Sequence, residues 1–412
     1  MVAIPPDSVA TLFKHRSFAF FWFGRAATTS AYQMLAVAVG WQIYAMTGEA
    51  FDLGLVGLVQ FVPIVAMSLI IGQVADRFDR RTIARLCQII KALCALMLAF
   101  GTWTGWLNRE AIFAILFVIG TARAFETPTL HALLPGIVPP ALLPRAIAAS
   151  ATAHQAAAIG GPALGGLIYV FGPTVVYVTC TAAFVAASIL VSLIETVPRP
   201  VDRKPVTLAS LLAGFAYIRS RPVLLGAISL DLFAVMLGGV TALLPIYARD
   251  VLATGPWGLG LLRSAPAVGA LAMSVVLAYH SLDRRIGDLL FGSVAVFGIS
   301  IIVFALSTSL LLSLAARTVY GMADAVSVVI RQSLIQTRTP HDLLGRVLAV
   351  NSLGTGSSGT LGEFESGVLA AWLGAVPSAL IGGIGAIAIT LVWVGLFPGL
   401  RKLESLAATP SG

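Results

Sequence analysis

Charge is what this chain has least of. Across 412 residues only 11% are charged, far below the roughly 25% of an ordinary soluble domain. Hydrophobic residues make up 58% and the mean hydropathy is +0.94. A water-soluble fold is therefore excluded, and the chain is an integral membrane protein. Lysine is scarcer still, at Lys14, Lys91, Lys204 and Lys402. None of them closes a Gly-x-x-x-x-Gly-Lys loop, so no nucleotide-binding module of that kind powers the protein. The sequence has no His-Glu-x-x-His, no Gly-x-Ser-x-Gly and no metal-ligand cluster, so the reading is not an enzyme and calls for no metal and no cofactor. Cysteine is limited to Cys87, Cys94 and Cys180, all inside apolar runs, which argues for packing and against a disulfide framework. The first sixteen residues lack the basic, apolar and small-residue order of a cleaved leader, so the first apolar run is expected to be retained.

Short alternating strand patterns are also missing, which excludes a membrane barrel. Apolar runs of the length a membrane-crossing helix needs, roughly 20 residues, recur instead. They fall at 17–46, 52–75, 82–105, 110–132, 145–170 and 173–194, and again at 223–248, 256–279, 287–306, 309–331, 345–371 and 376–398. The predicted fold is all-α, with twelve transmembrane helices in two six-helix bundles. The expected domains are 1–195, a cytoplasmic linker at 196–222 with an amphipathic helix, and 223–412.

The two halves repeat one another. Leu142-Leu143-Pro144-Arg145 returns as Leu343-Leu344-Gly345-Arg346, and Gly161 and Gly166 return as Gly362 and Gly367, all at an offset of 201. Ile43-Tyr44-Ala45 returns as Ile246-Tyr247-Ala248 at 203, and Asp79-Arg80-Arg81 as Asp283-Arg284-Arg285 at 204. Parallel copies of one helical unit are a transporter architecture. Of the 26 basic residues, 19 fall in connections of one parity, against Arg109 and Arg249 on the other side. Both termini are thus expected in the cytoplasm, and the +8 net charge reflects topology and anionic lipid rather than nucleic acid.

Specific residues sharpen this. Gly72-Gln73-Val74-Ala75-Asp76-Arg77-Phe78-Asp79-Arg80-Arg81 resembles the signature loop of the major facilitator superfamily, with Asp79 where glycine is usual. Gly161-Pro162-Ala163-Leu164-Gly165-Gly166 resembles the fifth-helix motif of that superfamily's exporters, with Ala157 where a leading glycine is expected. Arg123 resembles its fourth-helix arginine, followed here by Glu126 and Thr127. Over nearly its whole length the chain resembles the enterobactin-exporter-like and multidrug efflux branch, through Leu12 to Phe18, Ala75 to Arg81 and Gly362 to Gly367. The resemblance implies a monomeric carrier in a bacterial inner membrane. It also implies that Gly72, Asp76, Arg77, Arg80 and Arg81 form a conformational latch between access states. Gly161, Pro162, Gly165 and Gly166 would give a thin, bent helix able to pack on the opposite half and seal the pathway.

Ionisable groups inside the membrane mark mechanism, because each costs several kcal/mol unless paired or hydrated. The candidates are Arg123, Glu126, His154, Asp231, Arg263, Asp324, Glu363 and Glu365, with Arg317 and Arg25 beside them. Asp231 lies about 13 Å from the cytoplasmic end of its helix, near the midplane. Glu363 and Glu365, two residues apart, point about 200° from one another and cannot share one environment. A desolvated carboxyl can exchange a proton as a cavity alternates between two sides, so protons are the expected coupling ion. Asp231 or a helix-eleven glutamate would carry the proton, with Arg123 biasing its release. Tyr32, Gln33, Met34 and Trp41, with Phe233, Met236 and Arg25, are the substrate-cavity candidates, suited to a bulky, partly apolar small molecule such as a siderophore or a drug. Three classes of function fit: export by proton antiport, uptake or facilitated diffusion, and a membrane sensor or lipid-handling protein.

Overall fold

The structure is a computed structural model that describes residues 9–67, 78–195, 208–279 and 285–405. Among these residues all regular structure is helical. We label the principal helices α1 (Arg16–Thr47), α2 (Ala50–Ala66), α3 (Arg80–Thr104), α4 (Arg109–Leu133), α5 (Leu143–Ile168) and α6 (Pro173–Ser192). They continue as α7 (Pro222–Leu237), α8 (Pro256–Tyr279), α9 (Ile286–Leu306), α10 (Leu310–Arg338), α11 (His341–Leu373) and α12 (Ala375–Leu396).

Local chemistry sets the ends. Asp79 caps α3 by accepting a hydrogen bond from the Thr82 amide at 2.9 Å, and Gly105, in the left-handed region at φ 77°, stops it. The aspartate that departs from the family's loop pattern thus has a local task. Asn108 caps α4 in the same way, accepting from the Ala111 amide.

Eight helices among the described residues are long and apolar enough to cross a membrane, and besides the shorter α2 the helices α1, α5 and α11 are not among them. Those three carry the glycines, hydroxyls and charges that lower hydropathy, and a helix of that kind needs protein or water beside it rather than lipid. The arrangement is the inverse of a soluble bundle. On α3, Leu93 and Phe100 are 55% and 54% exposed, while Gln88 and Lys91 are 0% and 2% exposed. Apolar side chains face outward and polar ones inward, as a hydrocarbon solvent requires.

The chain divides into two compact units, residues 1–46 with 59–205, and 47–58 with 206–412. In the first, α3 packs along α4 and α6, and Phe18, Phe21, Ala84, Leu133 and Val191 share one core. In the second, α8 and α9 both pack on α10, and α7 packs on α11 and α12. Leu224, Ile228, Leu290, Ile330 and Val347 fill its core. The short segment 47–58 belongs to the second unit because Gly54 meets the Phe364 and Gly367 backbone of α11 with no room for a side chain. Within the linker region, Leu208–Ser220 is helical, and Tyr217 donates to the Arg338 carbonyl at 2.8 Å.

Two spans differ from their expected form. The run at 223–248 is not one helix: α7 ends at Leu237, and a tight turn at Val240–Leu243 and a wide one at Tyr247–Val251 follow. Pro245 lacks an amide donor, and any side chain at Gly239 would strike the Gly362 backbone. The run at 309–331 extends to Arg338, which moves Arg331 from a connection into a buried position, 2% exposed. A counter-charge on α7 makes that burial tolerable, as described next.

Candidate functional site

Helix geometry builds a polar cavity in the first unit. On α1, Arg25, Thr28, Thr29, Tyr32 and Gln33 fall at i, i+3, i+4, i+7 and i+8, and on α4 Arg123, Glu126, Thr127, Leu130 and His131 repeat that spacing. Residues so spaced share one helix face. The two faces, with Lys91 of α3 and His154 of α5, line a cavity of about 450 Å³.

Glu126 is 5% exposed and doubly engaged. Its Oε2 accepts from Lys91 Nζ at 2.5 Å and its Oε1 from Thr28 Oγ1 at 3.2 Å. Lys91 donates also to Thr28 at 2.7 Å and lies 4.7 Å from the centre of the Phe184 ring. A buried ion pair persists only with its remaining valences satisfied, and this one is. Arg123 donates to the Tyr32 hydroxyl at 2.7 Å and lies over the same ring at 4.3 Å. Tyr32 in turn donates to Gln60 Oε1 at 3.0 Å, so the guanidinium is held in one orientation.

Of the cavity candidates from sequence, Arg25, Tyr32 and Gln33 are brought together with Arg123, Glu126 and His154. The others lie elsewhere. Met34 is buried against Gly165, the Trp41 ring stacks near Tyr169 at 6.4 Å, and Phe233 lies against Trp393 at 5.4 Å. Met236 presents its carbonyl to Gly362. Lys91 and His131 were missed by sequence reasoning. Lys91 carried a signal, as the sole lysine inside a predicted span.

The exporter-motif glycines have a defined contact. A Cβ at Gly161 would lie 2.7 Å from Gln33 Cβ, and one at Gly165 would lie 2.8 Å from Met34 Cα. Both therefore set the close approach of α5 to α1 within their own unit. Pro162 and Gly166 are buried in the same helix, which runs unbroken through Pro162. Of the latch, Gly72, Asp76 and Arg77 lie outside the described residues. Arg80 and Arg81 donate to backbone carbonyls at or just past helix ends, Ala132 at 3.1 Å and Ile194 at 2.8 Å. Orphan carbonyls at a helix C-terminus favour such cations.

In the second unit Arg317, Asp324 and Arg331 recur every seven residues along α10, hence on one face about 10 Å apart. Arg331 forms an ion pair with Asp231 of α7, both side chains nearly fully buried, and Ser327 donates to Asp231 Oδ1 at 3.4 Å. Asp324 lines the same small cavity as Asp231 and Ser327 and makes no hydrogen bond or ion pair among the described residues. Arg317, 3% exposed, lies over the Tyr320 ring at 4.5 Å and within electrostatic reach of Arg263 and Glu363. The two glutamates of α11 are separated as their spacing requires. Glu363 faces Gly57, whereas Glu365 buries an Oε2 without a hydrogen-bond partner.

The two polar centres are related by the internal repeat. At the offsets of 203 and 201, Thr28 corresponds to Asp231 and Glu126 to Ser327. Thr28 donates to Glu126 in one copy and Ser327 to Asp231 in the other, so acid and hydroxyl have exchanged helices while the bond remains.

Helical units with polar cavities and paired charges inside apolar walls define a membrane transport protein. The family model of the major facilitator superfamily matches residues 19–362, and the chain belongs to that superfamily. It is a multi-pass carrier rather than an enzyme. It is similar to the enterobactin exporter EntS of Citrobacter koseri, 26% identical with 98% of this chain and 97% of that one covered. It is similar also to macrolide efflux protein A of Streptococcus pyogenes, 24% identical with 93% and 96% covered. Among solved structures, a bacterial homologue of the human lysosomal transporter Spinster, inward-facing and unoccupied, superposes with a TM-score of 0.75 at 14% identity, covering 96% of this chain and 99% of that one. A bacterial homologue of the iron transporter ferroportin gives 0.71 at 17%, covering 94% and 99%. These likenesses concern the fold alone.

Proposed function

We propose that the chain exports a small, partly hydrophobic compound across the bacterial cytoplasmic membrane by alternating access, in exchange for protons, with both termini in the cytoplasm. The observation that carries the reading is the cavity of about 450 Å³ in the first unit, a volume suited to one small organic molecule. Its aromatic and amide side chains, Tyr32 and Gln33, match a cargo with both apolar and polar parts. Export is supported over uptake by the two efflux relatives, which align over nearly the whole chain and act on enterobactin and on macrolides, as their names state.

The proton carrier we assign is Asp324. Asp231 is matched by Arg331, which leaves Asp324 as the carboxylate of that cavity without a counter-ion among the described residues. Arg123 acts on the cargo side, and Gly72, Asp76 and Arg77 act as the latch. Everted membrane vesicles provide the test. With an imposed pH gradient they should accumulate enterobactin or a macrolide, and Asp324→Asn should abolish accumulation while leaving counterflow exchange. Equilibration indifferent to the gradient would instead mark a facilitator.

A further inference from the structure

We propose that the cavity of the first unit selects its cargo by negative charge, an inference that rests on the export reading above and names its substrate class. Three permanent cations face that cavity, Arg25, Lys91 and Arg123, against a single carboxylate, Glu126. Glu126 is already spent. Lys91 holds one of its oxygens and Thr28 the other. Arg25 feels its charge but makes no hydrogen bond or ion pair among the described residues. Arg123 has only a neutral partner, the Tyr32 hydroxyl. Two guanidinium charges thus remain without a carboxylate partner on the walls of a polar cavity, where an anion gains charge-assisted hydrogen bonds.

The arrangement is also pre-oriented. Gln60 holds the Tyr32 hydroxyl, and Tyr32 holds Arg123 by both its oxygen and its ring. A guanidinium fixed in this way offers its remaining N–H groups as a fork, the geometry that binds carboxylate, catecholate or phosphate oxygens in pairs. His131 and His154 add donors on the same walls. A cationic amphiphile of equal size meets repulsion from the same groups, so the cavity discriminates by sign as well as by fit.

The test is equilibrium binding to the purified full-length protein in phosphatidylcholine nanodiscs, with two dyes that share one ring system: carboxyfluorescein, an anion, and rhodamine 123, a cation. The expected result is carboxyfluorescein bound at least tenfold more tightly than rhodamine 123, with affinity falling as salt rises. Arg123→Gln and Arg25→Gln should each weaken the anion by tenfold or more, and Arg123→Lys should restore part of the loss, which a fold defect would not permit. Rhodamine 123 bound as tightly as carboxyfluorescein, binding of neither dye, or an Arg123→Gln variant that binds the anion normally would overturn the proposal. A second arm adds anionic phosphatidylglycerol to the nanodiscs. Abolished dye binding there would assign the site to lipid headgroups and likewise end the cargo inference. Gradient-driven accumulation in vesicles is scored separately, so export can stand where charge selection fails.

Discussion

Removing the Asp231 carboxylate separates two roles for that residue. Asp231 and Arg331 have side chains 5% and 3% exposed and join α7 to α10. At that burial the solvent screening that makes surface pairs nearly worthless does not operate. Asp231→Asn keeps the shape but strands the buried Arg331 guanidinium without its carboxylate. Truncating one partner of such a pair costs about 3–5 kcal/mol, because the remaining charge is left unmatched, whereas replacing both partners with apolar groups of similar size is often close to neutral. The expected order of melting temperature in detergent is therefore wild type, then the double variant Asp231→Leu with Arg331→Met close to it, then Asp231→Asn well below. A proton carrier behaves differently: its neutral isostere folds normally and loses only the response to a pH gradient. Thermal melting and gradient-driven uptake measured on the same preparations distinguish the two. An Asp231→Asn protein that melts with the wild type, or a double variant no more stable than the single one, would refute the structural assignment.

Three further outcomes follow from the geometry. Gly165→Ala should cost about 1–3 kcal/mol by overpacking against the α1 backbone, while Gly160→Ala, which meets nothing within 4 Å, should leave the melting temperature unchanged or raise it; equal effects at the two positions would remove the α1–α5 contact as the reason for the motif. Lys91→Met should destabilise the first unit by about 3–5 kcal/mol, and adding Glu126→Gln should recover most of the loss in the same melting assay. Exchange of an anion outward for a proton inward moves positive charge into the cell in both legs, so an inside-negative potential should accelerate export. Each charge moved is worth about 2.3 kcal/mol per 100 mV, roughly a 50-fold change in the equilibrium ratio, and rates unaffected by a valinomycin-imposed potassium potential would exclude this coupling.

The fold was legible in the sequence because membrane solvent leaves few choices. Once charge is rare and apolar runs reach bilayer length, helices are the default, and their ends are fixed by visible residues such as Asp79, Gly105 and Asn108. Where a span departs from a single regular helix of the expected length, tertiary contact had overridden hydropathy. The break after Leu237 answers to Gly362 across from Gly239, and the burial of Arg331 answers to Asp231. Neither partner is local, so no window along the chain could reveal them. The cavity was only partly legible. Its stripe on α1 is written at Arg25, Thr28, Thr29, Tyr32 and Gln33, but the helix is 32 residues long, and its apolar remainder dilutes the pattern in any average taken over the whole.

The repeat held more information than a list of differing positions. Aligned residues that differ can suggest divided labour, with gating in one copy and charge in the other. The structure points to a closer relation, since Thr28 and Asp231 occupy corresponding sites, as do Glu126 and Ser327, and each pair of helices is joined by one hydroxyl-to-carboxylate bond. Such a bond is indifferent to which helix supplies the acid, because donor and acceptor can exchange ends without changing the distance between the backbones. The counter-ion is not indifferent. It must reach the acid's new position, and it comes from α3 as Lys91 in the first unit and from α10 as Arg331 in the second. Exchanging the acid therefore forces the cation to move to a different helix, and that relocation makes the polar interiors of the two copies unlike. In the first unit the acid sits on α4, beside Arg123 on the cavity face, and Lys91 consumes it, which leaves the guanidinium groups unmatched. In the second the acid sits on α7 and Arg331 consumes it, which leaves Asp324 unmatched. The sign of what remains is set by a second difference between the copies, since Arg123 and Asp324 correspond at the offset of 201.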